Sequence, residues 1–257
     1  MGEQLVSAMF SEKLIFLGFP RGTTYRVWQK DPDLEVVDFY YGKRYLHMEK
    51  TLRRFVRSHM LSRALGCLLD SVLQLWWNRQ TRSASEIRIT EVSRFGQEYD
   101  EFWKEVSKDY GVLTVRDSHF LNWRFMQCMK KRYHIAEVRR CDRLSGYIVL
   151  RSNHLNTKLG AGQIIDYLTS REDTLSLSAL LGYAVQYYRN QGLRTITVLL
   201  PKVESHCETF RKFGFIANRK DPIKLAFQTK YDRTLKGNLF CVNSFFTLAD
   251  SDLEFYP

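Results

Sequence analysis

Hydrophobic positions along the chain switch repeatedly between the two-residue period of a strand and the 3.6-residue period of a helix. Residues 87–92 predict a strand, and residues 98–109 and 117–128 predict helices. Strands are expected at 133–138 and 146–151, around a turn at 141–145. A further strand at 163–169 leads into a long helix over 173–190, stopped by Gly192. Thr169 or Ser170 is its expected cap. Residues 194–200 predict a strand ended by Pro201, residues 204–213 a helix closed by Gly214, and residues 223–229 a last strand. Strands interrupted by helices imply an α/β sheet covered on at least one face.

The first part of the chain has another texture. A short helix is expected first, then an apolar run at 14–19 ending at Pro20. Residues 24–29 and 34–41 are rich in β-formers, with an Asp31-Pro32-Asp33 turn between them. Residues 47–78 read as helical. Met48, Leu52, Phe55 and Val56 share one side of the wheel, and Lys50, Arg53, Arg54 and Arg57 the other. After His59 the apolar positions Leu61, Ala64, Leu65, Leu68, Leu69 and Val72 move to where the arginines were. One straight helix cannot bury one face through that swap. Two helices broken near residues 58–62 are expected, with serine capping the second. Residues 83–85 read as a linker.

Composition narrows the classes. With 257 residues, 44% hydrophobic and 14% aromatic, the chain can build a core, and disorder is excluded. Cys67, Cys128, Cys141, Cys207 and Cys241 are scattered and never spaced as CxxC. That excludes a disulfide framework or a cysteine zinc site and fits a reducing, cytoplasmic location. No signal-peptide pattern is visible, since Glu3 stands where basic residues belong and Arg21 and Arg26 come too late. The most apolar stretch, 60–77, is interrupted by Arg63, Asp70 and Gln74, so no membrane span is expected. Net charge is +11. Residues 43–82 hold nine Lys or Arg against Glu49 and Asp70, which is nine minus two, or +7. Such a face suits an anionic partner, RNA phosphate or an anionic membrane, and equally a solvated connector. No aromatic-and-basic RNA platform accompanies it, and nothing points to DNA.

Three segments carry a likeness. Residues 163–200 read strand-helix-strand. Thr209-Phe210-Arg211-Lys212-Phe213-Gly214-Phe215 resembles an L-Y-x-K-x-G-F segment. Arg116-Asp117 with Phe120-Leu121-Asn122-Trp123-Arg124 is similar to a run in tandem proteins. All three resemble segments of the GNAT superfamily of acyl-CoA N-acyltransferases. The resemblance implies an α/β fold with a mixed central sheet flanked by helices, preceded by a partial sheet and connector helices. Residues 1–46 resemble the remnant of a first GNAT-like half, 47–85 connect, and 86–257 form the GNAT-like domain. If most of the first half is missing, residues 14–46 are expected to expose an unpaired sheet edge. The implied activity is N-acyl transfer, from acetyl-CoA or another acyl-CoA, to an amine substrate. The chain reads first as the non-cofactor-binding C-terminal half of a tandem acyltransferase; the alternatives are an active enzyme with a non-glycine loop using acyl-CoA or aminoacyl-tRNA, and a non-enzymatic binding module on the same fold.

The superfamily grips the diphosphate with an R/Q-x-x-G-x-G/A turn. Its glycines let backbone N–H groups approach at a helix N-terminus. Registered on Leu180-Leu181, this chain places Leu175 and Leu177 at the glycine positions and Glu172 at the arginine position, with Arg171 beside it. The positions that would contact a cofactor are Leu168, Ser170, Arg171 and Thr174. Side chains replace bare backbone, and Glu172 and Asp173 repel a polyanion, so acetyl-CoA binding is expected to be weak or absent. Restoring glycine at 175 and 177 should cost the helix about 0.5–1 kcal/mol each. The family's proton-donating tyrosine is replaced by Phe210, read as a core residue. Asp166, an acid inside an apolar strand, is the candidate general base or amine ligand, or else a partner of Arg124 or Arg151. His206 and Cys207 point about 100° apart on a helix and make no nucleophile pair. His119, His134 and His154 have no metal-ligand spacing, so no metal site is expected. Asp250, Asp252 and Glu254 read as a solvated tail.

Overall fold

The computed structural model describes residues 16–18, 25, 26, 28, 30, 34–46, 58, 60, 61, 64–66, 68, 71, 87–127, 133–153, 160–220, 222–228 and 244–250. The expected helix over 47–57, the Asp31-Pro32-Asp33 turn, the 83–85 linker and His154 lie outside these residues.

Twelve strands are found among the described residues: β1 Phe16–Gly18, β2 Leu34–Phe39, β3 Tyr41–Tyr45, β4 Ile87–Glu91, β5 Val112–Leu113, β6 His134–Arg140, β7 Arg143–Asn153, β8 Ala161–Thr169, β9 Thr195–Leu199, β10 Ile216–Ala217, β11 Ile223–Gln228 and β12 Ser244–Phe245. The helices that frame the site are α1 Glu98–Val106, α2 Ser118–Leu121 (continued by a π turn, Asn122–Met126), α3 Thr174–Asn190 and α4 Glu204–Lys212. The main sheet has seven strands in the order β10-β3-β9-β8-β7-β6-β4. Its ladders are antiparallel except β8–β9, which is parallel. A parallel pair needs a crossover, and α3 supplies it.

Position in the sheet explains burial. β8 lies in its interior, and every residue from Gly162 to Thr169 is buried. Such a strand reads as a continuous apolar run, as Ile164-Ile165 and Tyr167-Leu168 do. Helix α3 packs close: a Cβ on Gly162 would stand 2.5 Å from the Tyr188 ring. The Tyr188 hydroxyl reaches the Gln163 carbonyl at 2.6 Å and accepts from the Arg151 N–H at 2.9 Å. Only glycine allows this approach.

The N-terminal strands serve two sheets. β11 pairs with β1 on one side and β2 on the other, forming a separate three-stranded sheet. β2 continues past Tyr40 into β3, which lies between β10 and β9 in the main sheet. Segment 34–45 thus ties the two sheets together, and the last long strand leaves the main sheet for the small one.

Two expectations need correction. Tyr25, Arg26 and Trp28 are helical, although residues 24–29 read as a strand. β-propensity measures fit to a pleated, half-buried surface, and among the described residues no strand pairs with this stretch. The long helix is capped by Asp173, whose carboxylate accepts from the Ser176 N–H at 3.0 Å. Thr169 and Ser170 precede that position, and their hydroxyls face His206 and Asp109.

Candidate functional site

β8 and β9 run together only from the Ala161–Thr195 pair to the Ile164–Val198 pair. Beyond it β8 continues to Thr169, paired with β7 alone. Ile165 is the extra residue there: Val149 opposes Asp166 and Leu150 opposes Ile164, a β-bulge. A bulge bends its strand and raises the local twist, so the ends of β8 and β9 diverge. The bulge also breaks the alternation. Asp166 turns to the α1 side of the sheet while Tyr167 faces α4.

The opening is filled by the chain itself. Residues 244–250 cross it, with β12 pairing in parallel with β5. The Phe245 ring lies 5.1 Å from Tyr167, 5.0 Å from Tyr110 and 6.0 Å from His206, centroid to centroid. Phe246 meets Phe39 at 6.0 Å, beside the start of β3. The Tyr110 hydroxyl donates to the carbonyl of Thr169, the end of β8, at 3.0 Å. Both phenylalanines are fully buried.

An ion cluster anchors the segment. Arg116 and Asp166 are both fully buried and lie 3.2 Å apart, and Arg116 also holds Asp250 at 2.7 Å. Asp166 accepts from the Tyr147 hydroxyl at 2.8 Å and from the Thr247 hydroxyl at 2.7 Å. Asp250 accepts the Thr247 backbone N–H at 2.8 Å and the Thr114 hydroxyl. Burial pushes the Asp166 carboxyl above the ordinary carboxylate range, while the Arg116 charge opposes that rise. Burial works against the Arg116 charge, but Asp166 and Asp250 more than offset it and hold the guanidinium above its usual value.

Asp166 is therefore enclosed, and its cation is Arg116, neither Arg124 nor Arg151. Asp250 does not belong to a solvated tail. Its side chain is 1% exposed, because Arg116 draws it inward. Arg116 and Thr247 were missed as partners in the sequence. They lie 50 and 81 residues from Asp166, and no short-range pattern joins them.

The other candidates fall around the mouth of the same opening. Leu168 is buried opposite Tyr147 on β7. The Ser170 hydroxyl donates to Asp109. Arg171 is half-buried, 3.8 Å from Glu172, and its carbonyl accepts from Ser205 at 2.8 Å. Thr174 is exposed on the first turn of α3. That turn already carries an anion of its own, the Asp173 carboxylate, which meets the Ser176 N–H, the Ser176 hydroxyl and Arg140. Leu177 is fully buried, so backbone cannot be bared there. Phe210 is buried against Tyr167, at 5.3 Å, and Phe215. These residues do not fit the diphosphate and pantetheine of acyl-CoA. The Asp173 carboxylate stands at the helix N-terminus and takes the Ser176 N–H, and an aromatic plug occupies the strand opening.

His206, at the start of α4, is buried while its neighbour Cys207 is exposed. Burial pushes the His206 imidazole down to about 4. The unfolded chain takes up its proton near pH 6.5 and the folded protein only near 4. Stability is therefore full above about pH 6.5 and falls as the pH drops toward 4, by up to about 3 kcal/mol. Urea unfolding across this window should lose most of its slope in His206→Asn. An unchanged slope would place the titration elsewhere.

No protein-family model and no curated protein matches the chain. Among solved structures, a GCN5-related N-acetyltransferase from Anabaena variabilis is similar at TM-score 0.49 and 10% identity, over 88% of this chain and 48% of that one. One from Kribbella flavida gives 0.48 and 11%, over 88% and 45%. A GCN5-related N-acetyltransferase-like protein from Streptococcus suis gives 0.44 and 10%, over 88% and 75%. The chain thus spans about half the length of the first two. The fold class rests on the strand order itself: a mixed sheet with one parallel pair, crossed by α3 and splayed beyond a bulge, is of the GNAT type.

Proposed function

We propose that this chain is a GNAT-type acyltransferase-like protein whose second half, residues 86–257, serves as a scaffold and does not hold acyl-CoA. The filled opening between β8 and β9 carries this reading. In the superfamily the pantetheine pairs with the strand that corresponds to β8, in that opening. Here the opening contains Phe245, and the buried Arg116–Asp166–Asp250 cluster fixes it. The leucines of the α3 entrance and the cap by Asp173 support the same conclusion. Asp166 then acts as the central strut of the cluster, and residues 1–46 are the end of a first GNAT-like half, bound to the second by exchanged strands. Acyl transfer by a more complete tandem protein, in which this half shapes the acceptor site, is the corresponding biological role.

The test is calorimetry of the full chain against acetyl-CoA. Shorter pieces do not serve, because removing residues 1–86 strips β3 from between β9 and β10. The expected result is no saturable heat. Binding with a low-micromolar dissociation constant, about −8 kcal/mol, would replace this reading with that of an active enzyme carrying a non-glycine loop.

A further inference from the structure

The layer formed by α1 and α2 holds a cavity of its own, away from the filled opening. Past the C-terminal end of α1, Asp109 and Tyr110 reach Ser170 and Thr169 at the end of β8. The cavity lies at the other end of that helix, between the loop that follows β4 and the π turn that continues α2. Its volume is about 860 Å³, a size that takes a small molecule. Asn122 fixes the two walls together. Its amide oxygen accepts the Phe95 N–H at 3.1 Å, and its amide nitrogen donates to the carbonyls of Phe95 and Ser118 at 2.8 and 2.7 Å. A second tie, from the Ser118 N–H to Asp100 Oδ1 at 2.7 Å, joins α2 to α1. The shape is therefore set before any ligand arrives. The π turn starts at Asn122, and such turns are rare and recur at functional sites.

The charges of the cavity select its ligand. Arg94 and Asp100 both line it. Among the described residues Arg94 forms no hydrogen bond or ion pair, and Asp100 has no cation, its carboxylate meeting the Ser118 N–H. Other acids of α1 do have cations: Glu98 holds Arg139 and Glu105 holds Arg143. A cation and a carboxylate on one cavity, each without a counter-charge, complement a ligand that carries both signs. A phosphate would meet Arg94 but be repelled by Asp100, and a simple amine would leave Arg94 unanswered. Phe95 and Met126 add apolar lining. We propose that this cavity binds a free α-amino acid with an apolar side chain, its carboxylate on Arg94, its ammonium on Asp100 and its side chain against Phe95 and Met126. The site is separate from the β8–β9 opening and does not depend on the reading given for it.

Titration of the full chain with L-leucine, followed by amide NMR, tests this. Saturable shifts are expected at about millimolar ligand, on residues 93–97 and 118–127 that line the cavity and not on residues 170–177. Two derivatives of leucine each lack one charge: leucinamide has no carboxylate and N-acetyl-leucine no ammonium. Each should bind at least about tenfold more weakly than leucine. Arg94→Ala should abolish the preference for leucine over leucinamide and keep that over N-acetyl-leucine. Asp100→Asn should do the reverse. Asparagine at 100 can still accept the Ser118 N–H, and Arg94 is exposed, so the melting curves should move little. No saturable shift up to about 50 mM leucine, equal affinity for the three compounds, or shifts confined to other residues would each overturn the proposal. So would variants that leave both preferences intact.

Discussion

Arg116→Ala should unfold the protein far more readily than any surface change, by about 3–5 kcal/mol. The guanidinium is fully buried between Asp166 and Asp250. Removing it leaves two carboxylates in a dry interior, sharing only the Tyr147, Thr247 and Thr114 hydroxyls and a backbone N–H. The loss is therefore the cost of orphaned charge, larger than the net worth of the pair. Domains hold only about 5–15 kcal/mol in all, so the variant should be marginal at room temperature. Denaturant midpoints measure this directly. The double variant Arg116→Met with Asp166→Asn should recover part of the loss, since one carboxylate then no longer needs a cation. A single variant as stable as the parent would mean that the cluster does not anchor residues 244–250.

Phe245→Ala should cost about 3–5 kcal/mol as well, by the cavity it leaves among Tyr110, Tyr167 and His206. The informative part is what it does not restore. Acetyl-CoA should remain unbound in calorimetry even with the ring gone, because the Asp173 carboxylate still sits at the α3 N-terminus, holding the Ser176 N–H and hydroxyl, and Leu177 still fills the core beside it. Binding gained by Phe245→Ala alone would show that the plug is the sole obstacle and that the helix entrance is competent. Reinstating glycines is harder than helix propensity suggests. Leu175 is half-buried, but Leu177 is fully enclosed. Its replacement adds a cavity cost of about 2–5 kcal/mol to the helix penalty.

The order of elements was legible in the sequence because it is written in local periodicity. The strands at 87–92 and 163–169 and the helices before Gly192 and Gly214 all depend on neighbours a few residues away; the turn expected over 141–145 is tighter, confined to Cys141 and Asp142, with 143–145 already in β7. The absence of glycine at 175 and 177 and of a hydroxyl at Phe210 are equally local facts, and they bear on cofactor binding from the sequence alone. The tertiary structure alone decided where the acids go. Asp166 faces Arg116 because the Ile165 bulge reverses the alternation, and a bulge is set by the pairing of two strands. Asp250 is buried because the chain returns across the β8–β9 opening, a contact 134 residues from its partner. The exchange of β3 and β11 between sheets has the same origin. A strand's sequence states how well it fits a sheet, but which sheet it joins depends on edges built by distant parts of the chain.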